Sequence, residues 1–194
     1  MNRLSMLEET LAVRKYEGTW FGVVWDDAGL LASSFASSKE ALEKHLQSDT
    51  LTIGGIGSSK QPETALTEMI KLYEGEPSTN KIPLRWDSVS GFQENVCQVM
   101  TRIPKGKVTS YGLIAKQISS GPRAVGIAVA RNPWPLFVPC HRVVPATLEV
   151  GNYSIGGSLS DYGCQMKRRL LEREGVSFEG DRVVSTAVWD PTED

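Results

Sequence analysis

The chain has few of the residues that build disulfide and metal scaffolds. Its 194 residues include three cysteines and two histidines, none in a C-x-x-C or H-x-x-x-H spacing. Secreted disulfide scaffolds and structural zinc sites depend on such repeated spacings, so the sequence argues against both. We therefore expect free thiols in a reducing, intracellular compartment, which is the cytoplasm or, in a eukaryote, the nucleus.

Long apolar runs are also missing. The longest, such as residues 20–25, fall far short of the about 20 residues that a membrane-spanning helix needs, and we expect no membrane association. The first twenty residues carry several charges, so we expect no secretory signal there. With 40% hydrophobic and 23% charged residues, the composition is that of a globular protein with one or two domains.

The overall net charge of −2 conceals an uneven distribution. Residues 1–84 carry a net charge of −4, residues 85–180 one of +5, and residues 181–194 one of −3. A stretch rich in Pro, Ser, Thr and Asn, residues 75–86, separates the first two parts. The sequence predicts an N-terminal domain over 1–84, a basic domain over 85–180 that meets a polyanion, and a frayed acidic tail. An ordinary solvated surface is the alternative explanation of the basic charge.

The N-terminal part has the pattern of a small α+β unit. Hydrophobic periodicity predicts strands over residues 16–25 and 30–35, and helices over residues 39–46 and 62–74. His45 falls on the polar side of the first helix, which favours a surface position. The glycine-rich residues 54–59 lack the G-K-[ST] ending of a phosphate loop and predict a flexible loop instead.

The C-terminal part is predominantly helical. Periodicity predicts helices over residues 90–102, 109–119, 123–131 and 167–173. The second and third are joined by a turn containing Gly121, which predicts a helix-turn-helix. The helix over 123–131 is built from Gly and Ala, with Arg at its ends. Two interpretations stay open: a helix that approaches a narrow nucleic-acid groove, and a core helix whose small residues permit close packing.

The stretch Pro139-Cys140-His141-Arg142-Val143 ends a proline-punctuated apolar run. The prolines predict extended backbone around Cys140. A deprotonated cysteine is a strong nucleophile, and neighbouring cationic groups stabilise the thiolate. Adjacent side chains of an extended chain point in opposite directions, so His141 would need a water or a turn to act on the sulfur. Zinc ligation and a buried structural thiol are the alternatives, and for Cys97 we expect the structural thiol.

Taken together, six stretches of the C-terminal part resemble the O6-alkylguanine-DNA alkyltransferase family, and they occur in the family's order. They are Ile103-Pro104-x-Gly-x-Val-Thr-Ser-Tyr111, Arg123-Ala-Val-Gly126, Asn132-Pro133, Pro139-Cys-His-Arg-Val143, Gly151-Asn-Tyr-Ser154 and Leu170-Leu-Glu-Arg-Glu-Gly175. The resemblance implies an α+β fold. It further implies a ribonuclease-H-like N-terminal domain and a mostly helical C-terminal domain with a winged-helix-like helix-turn-helix.

The resemblance implies direct-reversal DNA repair without a metal, cofactor or obligate protein partner. Cys140 would take the alkyl group from O6 of a guanine flipped out of double-stranded DNA, irreversibly and once per molecule. His141 and Glu174 would activate the thiol through a water, and Asn132 would brace the segment. A non-catalytic lesion sensor of the same fold is the alternative, which Cys140 disfavours because such proteins have a non-nucleophilic residue there. A thiol hydrolase unrelated to DNA is the third hypothesis.

The resemblance also implies two sets of contact residues. The DNA-binding set is Tyr111, Gly112, Arg123, Ala124 and Arg142. The substrate-pocket set is Pro135, Val143, Tyr153 and Ser154. Arg123 would replace the flipped base in the stack, Tyr111 would act on the adjacent phosphate, and Tyr153 would donate to the departing guanine. Ile155 interrupts the family's Gly-Asn-Tyr-Ser-Gly-Gly pattern, and residues 158–165 lengthen the link that follows.

Overall fold

The computed structural model describes residues 10–49, 61–155, 158–159 and 161–193. The glycine-rich loop predicted at residues 54–59 lies outside these ranges. Within them, no helix is both long enough and apolar enough to cross a bilayer.

An antiparallel sheet with two helices forms the N-terminal part. Its elements are strands β1 (Thr10–Tyr16), β2 (Thr19–Asp26) and β3 (Gly29–Ala36) and helices α1 (Lys39–Asp49) and α2 (Gln61–Tyr73). The strand order is β1-β2-β3. The predicted hairpin and both helices are present, but β1 was not predicted. Glu17 and Gly18 have φ of 45° and 78°, so a tight turn separates Tyr16 from the strand to which the sequence assigned it.

The two faces of this sheet bury different helices. Phe21 and Phe35 lie in one hydrophobic cluster with Tyr73 of α2, whereas Val24 lies in another with Leu42 of α1. Alternate residues of a strand point to opposite faces, and both faces of this sheet are therefore apolar. This explains why the strands are continuous hydrophobic runs rather than alternating ones.

Four helices dominate the C-terminal part. They are α3 (Gly91–Arg102), α4 (Tyr111–Gln117), α5 (Pro122–Ala130) and α6 (Asp161–Arg173). Ser90 and Ser110 cap α3 and α4, because their Oγ atoms accept hydrogen bonds from backbone amides three residues on. All four were predicted, but α6 begins at Asp161 rather than at Lys167.

Short strand pairs complete this part. Strand β4 (Thr109–Ser110) pairs in parallel with β5 (Val143–Val144), β6 (Ser154–Ile155) pairs with β7 (Ser158–Leu159), and β8 (Phe178–Glu179) pairs with β9 (Arg182–Val183). The β4–β5 pair joins the start of α4 to the segment that follows Cys140. The helix-turn-helix and the cysteine segment are thereby fixed to each other.

The last residues belong to the packed structure, and the prediction of a frayed tail was wrong. Val108 donates its amide to Ala187 O at 2.9 Å and accepts from Trp189 N at 2.7 Å. Val183 and Ala187 are buried in a hydrophobic cluster with Val108. The acidic composition concealed these apolar positions, which lie between charged residues along the sequence.

The N- and C-terminal parts share one hydrophobic cluster and several backbone contacts. Leu30 O accepts hydrogen bonds from Arg85 N at 3.0 Å and from Trp134 Nε1 at 2.9 Å. At the other end of the contact, Arg173 donates to Tyr73 O at 3.0 Å. The linker and the segment before Cys140 are thus both tied to the end of one strand.

Candidate active site

Cys140 begins a short 3-10 turn, Cys140–Arg142, so the predicted extended backbone was wrong at this residue. Its amide donates to Val138 O at 2.8 Å and its side chain is almost fully buried, with 7% exposed. Pro139 is compatible with this turn because it precedes the first residue of the turn, Cys140. A backbone amide at that position would have no hydrogen-bond partner within the turn. A turn removes the strict alternation of side chains that an extended chain would impose.

Polar groups surround the sulfur of Cys140 despite its burial. Tyr153 Oη lies 3.7 Å from Sγ, and the Asn132 side chain also favours the thiolate. Burial raises the pKa of the Cys140 thiol, whereas the hydrogen bonds of Asn132 and Tyr153 and the positive charge of Lys167 lower it. Asn132 in addition donates to Val138 O at 2.8 Å, which braces the backbone before the cysteine.

A buried network lies next to the thiol. His141 Nε2 and Glu174 Oε1 are 2.9 Å apart, and Arg142 donates to both carboxylate oxygens of Glu174 at 2.8 Å. Burial opposes ionisation of Glu174, but the hydrogen bonds and charges of His141 and Arg142 outweigh it and lower its pKa to about 2. Burial lowers the pKa of His141, which the Glu174 carboxylate only partly opposes. The Nδ1 atom of His141 is buried and has no hydrogen-bond partner among the described residues.

The structure directs Arg142 inward, against the prediction that it contacts DNA. Besides its two bonds to Glu174, its Nη1 donates to Ile103 O at 2.6 Å. A guanidinium that is engaged on three sides by the protein is not available to a phosphate. The sequence pattern singled out Arg142 but could not show which way its side chain points.

Lys167 is a site residue that the sequence analysis missed. It is almost fully buried, and its Nζ donates to Val143 O at 2.7 Å. Burial lowers the pKa of Lys167 to about 8, and the nearby Cys140 thiol opposes this effect. A signal was present, because Lys167 shares helical spacing with the buried Gly163 and Leu170. The surrounding arginines made the whole helix appear exposed.

A cavity of about 200 Å³ opens onto the sulfur. The N-terminal part lines it with Ser34, Phe35 and His45, and the C-terminal part with Tyr111, Gly126, Val129, Ala130, Asn132, Pro135, Cys140, Asn152, Tyr153, Ser154 and Lys167. Three of the four predicted pocket residues, Pro135, Tyr153 and Ser154, are among them. Val143 is not, because its side chain is fully buried in the hydrophobic core and its carbonyl accepts from Lys167.

His45 is not the surface residue that its helical position predicted. It is half-buried, and its Nδ1 lies 2.6 Å from Ser34 Oγ of the neighbouring strand. The predicted polar side of α1 is therefore partly covered at this residue. The periodicity of α1 does not reveal this, because the contact with Ser34 joins two different elements, β3 and α1.

The residues predicted to bind DNA lie around α4 and α5, apart from Arg142. Tyr111 is the first residue of α4 and lines the cavity, and burial raises its pKa. Gly112 and Ala124 are half-buried, and Arg123 is exposed at the start of α5. One face of α5 is packed in the core, as the core-helix interpretation expects, and for the exposed face the groove interpretation stays a prediction. Val125, Ala128 and Val129 are buried, whereas Ile127 is 50% exposed.

Zinc ligation was the alternative use of the cysteine segment. Across the described residues, no group of three or more His, Cys, Asp or Glu side chains could hold a metal ion. The described hydrogen-bond contact of the Cys140 sulfur is to the hydroxyl of Tyr153.

Comparison with known proteins agrees with the family resemblance that the sequence motifs indicate. Residues 91–176 match the family described as 6-O-methylguanine DNA methyltransferase, DNA binding domain. A methylated-DNA–protein-cysteine methyltransferase of Archaeoglobus fulgidus is 43% identical over 119 residues, which are 61% of this chain and 78% of that protein. The protein of that name from Methanothermobacter thermautotrophicus is 30% identical over 169 residues, 82% of this chain and 81% of the relative.

Solved structures extend the likeness beyond the matched C-terminal part. The O6-methylguanine-DNA methyltransferase of Pyrococcus kodakaraensis superposes with a TM-score of 0.60 at 30% identity, over 88% of this chain and all of that one. A Mycobacterium tuberculosis protein named OGT, solved in complex with DNA, gives 0.65 at 26% identity over 85% and 92% of the two chains. The fold is therefore the mixed α+β fold of these proteins, and the chain belongs to the methylated-DNA–protein-cysteine methyltransferase family.

Proposed function

We propose that this protein repairs O6-alkylguanine in double-stranded DNA by moving the alkyl group to Sγ of Cys140, once per molecule. The observation that carries the proposal is the position of Cys140. Its sulfur faces a cavity, and the paired His141 and Glu174 lie in the buried network beside it. A structural thiol needs neither a cavity nor such a network, because an apolar environment suffices for it.

The reaction is a displacement at the alkyl carbon. The sulfur of Cys140 forms a bond to that carbon while the bond between the carbon and O6 breaks, and the electron pair stays on the guanine. The thiol proton passes through a water to Nδ1 of His141, and guanine takes up one proton to regain its normal form. Glu174 accepts from Nε2 and stabilises the charged imidazole, as the third member of a catalytic triad does.

The departing guanine needs stabilisation of the negative charge that develops on it. Burial raises the pKa of Tyr153 well above its ordinary value. The hydroxyl therefore stays protonated at neutral pH and can donate a hydrogen bond. We assign it the hydrogen bond to N3, and Ser154 the contact near O6. Pro135 forms the wall beside the alkyl group, and Asn132 holds the thiol.

DNA would be held by α4 and α5. The small residues of α5 permit close approach to the minor groove, where readout is largely independent of sequence. Arg123 is exposed at the start of α5 and would occupy the place of the flipped base. Tyr111 would press on the neighbouring phosphate, with Gly112 and Ala124 leaving room for the backbone.

We also propose the two-domain architecture that the family resemblance implies. We assign residues 1–84 to a ribonuclease-H-like domain and residues 85–180 to a DNA-binding domain with a winged-helix-like helix-turn-helix. The packing of residues 182–190 on Val108 supports extending the second domain to include them. A protein with this substrate would act in the compartment that contains the DNA, the cytoplasm or the nucleus.

Intact mass spectrometry after incubation with a duplex containing O6-methylguanine tests the proposal. We expect a gain of one methyl group on Cys140 and a single burst of repaired DNA equal to the protein concentration. Tight binding of the duplex without alkylation of Cys140 would instead identify a lesion sensor. Repeated turnover on an ester or amide would identify a thiol hydrolase.

A further inference from the structure

One wall of the active-site cavity has no part in the proposed alkyl transfer. Ser34 and His45 line the cavity, and Ser34 Oγ lies 2.6 Å from His45 Nδ1. Both residues come from the N-terminal part, Ser34 from β3 and His45 from α1. The N-terminal part thus contributes a polar pair, here called the Ser34–His45 pair, directly to the space in which the substrate would lie.

The strand that carries this pair is fixed to the rest of the cavity. On one side of Ser34, Ser33 donates its hydroxyl to Pro135 O at 3.2 Å. On the other side, the ring of Phe35 lies 6.4 Å from the ring of Tyr153. Because Pro135 and Tyr153 themselves line the cavity, Ser34 is held at a defined position in its wall.

The charge of the cavity wall favours an anionic occupant. Lys167 contributes an ammonium group that uses one of its three donors on Val143 O. None of the described lining residues is Asp or Glu. Glu174 does not line the cavity, and its carboxylate is engaged by His141 and Arg142. A carboxylate that entered the cavity would therefore meet hydrogen-bond donors and no negatively charged side chain among those residues.

We propose that the Ser34–His45 pair forms a specificity subsite for the far end of the O6 substituent. Together with Lys167, it favours substituents that end in a carboxylate, such as carboxymethyl, over apolar substituents of the same size. This inference rests on the proposed function, because it concerns the substrate of the same cavity. The substituent moves intact from O6 to the sulfur of Cys140, so the carboxylate itself undergoes no reaction.

Two effects produce the preference, a gain for a carboxylate and a cost for an apolar group. A carboxylate gains charge-assisted hydrogen bonds from the pair and from Lys167. An apolar group of equal volume would displace water from these polar atoms and offer no hydrogen bond in return, which costs free energy. A methyl group is too short to do either, so its rate of transfer serves as the reference.

Three duplexes that differ only in the end of the substituent test the inference. They carry O6-carboxymethylguanine, O6-carbamoylmethylguanine and O6-isobutylguanine, whose substituents have the same number of heavy atoms. Single-turnover rates of Cys140 alkylation are measured relative to O6-methylguanine and divided by the same ratio for a small thiolate in solution, because a branched isobutyl group is intrinsically slower in displacement than carboxymethyl. We expect carboxymethyl to be transferred at least about tenfold faster than isobutyl, with carbamoylmethyl between them.

Variants of Ser34 and His45 test whether these two residues cause the preference. In His45→Leu and in Ser34→Ala, the carboxymethyl-to-isobutyl ratio should fall at least about fivefold. In His45→Gln, which keeps a hydrogen-bonding side chain, at least half of that loss should be recovered. Lys44→Leu removes an exposed charge from the same helix and is the matched control, with an unchanged ratio.

Two results would overturn the inference. One is a wild-type protein that transfers carboxymethyl and isobutyl at equal normalised rates. The other is an unchanged ratio in both variants accompanied by a lower melting temperature, which would mean that the pair only fastens α1 to β3. Failure of the proposed function is distinguishable from either result, because then the methyl duplex would not alkylate Cys140 at all.

Discussion

Cys97 and Cys140 are both buried, but their surroundings differ in chemistry. Cys97 lies inside α3, fully buried in the hydrophobic core, and its one described hydrogen bond comes from Gln93 Nε2 at 3.5 Å. Burial raises the pKa of Cys97 to about 12. Around Cys140, burial also raises the thiol pKa, but Asn132, Tyr153 and Lys167 all oppose it.

The comparison shows that burial alone does not decide whether a thiol reacts. A thiolate must be stabilised by hydrogen bonds or positive charge, and its target must be able to reach it. The Cys140 site has polar neighbours and a cavity, whereas the Cys97 site has a closed apolar environment. The following predictions change one of these properties at a time.

Replacing each cysteine by serine, in two separate variants, should show the largest difference between the two sites. Cys140→Ser should reduce alkyl transfer at least about a thousandfold, because a serine hydroxyl is a far weaker nucleophile toward saturated carbon. Cys97→Ser should leave the rate within about threefold and lower the free energy of unfolding by about 1–3 kcal/mol. Single-turnover repair and urea unfolding measure the two effects. A methyl group found on Cys97 would refute the comparison.

Glu174→Gln should reduce the transfer rate about a hundredfold, because His141 loses the carboxylate that stabilises its charged form. Single-turnover repair measures this effect.

The same variant should change how the free energy of unfolding depends on pH. Glu174 has a pKa of about 2 in the folded protein against an ordinary value of 4.5. Its stabilising contribution, on the order of 2–3 kcal/mol, is present above pH 4.5 and is lost as the pH falls toward 2.

Unfolding of wild type and Glu174→Gln between pH 6 and pH 2.5 measures this contribution. The difference in the free energy of unfolding between the two proteins should shrink as the pH falls. A constant difference across this range would show that Glu174 is not ionised in the folded protein.

Lys167→Met should separate reactivity from stability. Loss of the ammonium group raises the pKa of the Cys140 thiol and should slow transfer about tenfold at neutral pH. The free energy of unfolding should change by less than about 1 kcal/mol, because relief of the buried charge offsets the lost bond to Val143 O. The rate deficit should narrow at higher pH, where more of the thiol ionises. A deficit that is constant from pH 7 to pH 9.5 would contradict this explanation.

Gly163→Ala should disturb the Cys140 site indirectly and by the smallest amount. A Cβ at this position would overlap the carbonyl oxygen of Tyr153, the residue whose hydroxyl lies near the sulfur. We expect about threefold slower transfer and a loss of about 1–3 kcal/mol in the free energy of unfolding. Gly91→Ala is the control, since a Cβ there would have no atom within 4 Å. Equal behaviour of the two variants would exclude the packing of α6 on Tyr153 as a determinant of reactivity.

The sequence was informative wherever a local pattern determines the structure. Ser90 and Ser110 cap the helices that they were expected to begin, because capping depends on residues within one turn. The cysteine motif is local as well, and the reactivity that it indicates stays a prediction. The turn at Cys140 was missed because the prolines restrict their own backbone and that of the preceding residue, and so do not forbid a 3-10 turn after Pro139.

Tertiary contacts account for the errors at the site. His45, Arg142 and Lys167 are polar residues whose side chains turn inward to distant partners, respectively Ser34, Glu174 and Val143 O. Each of these contacts joins two different structural elements, so the periodicity within one element does not show it. Helical spacing could have revealed Lys167, whereas His45 could be placed only once the sheet was known to lie against it.

The carbonyl of Leu30 holds both the linker amide of Arg85 and the indole of Trp134. A main-chain oxygen survives every side-chain substitution, so replacing the buried Leu30 side chain would disturb core packing without removing the acceptor that holds the segment before Cys140. An added or deleted residue in the neighbouring hairpin has the opposite consequence, because it would shift that oxygen along the strand. Grafts of foreign N-terminal halves onto this protein should therefore be judged by their strand lengths before their sequences.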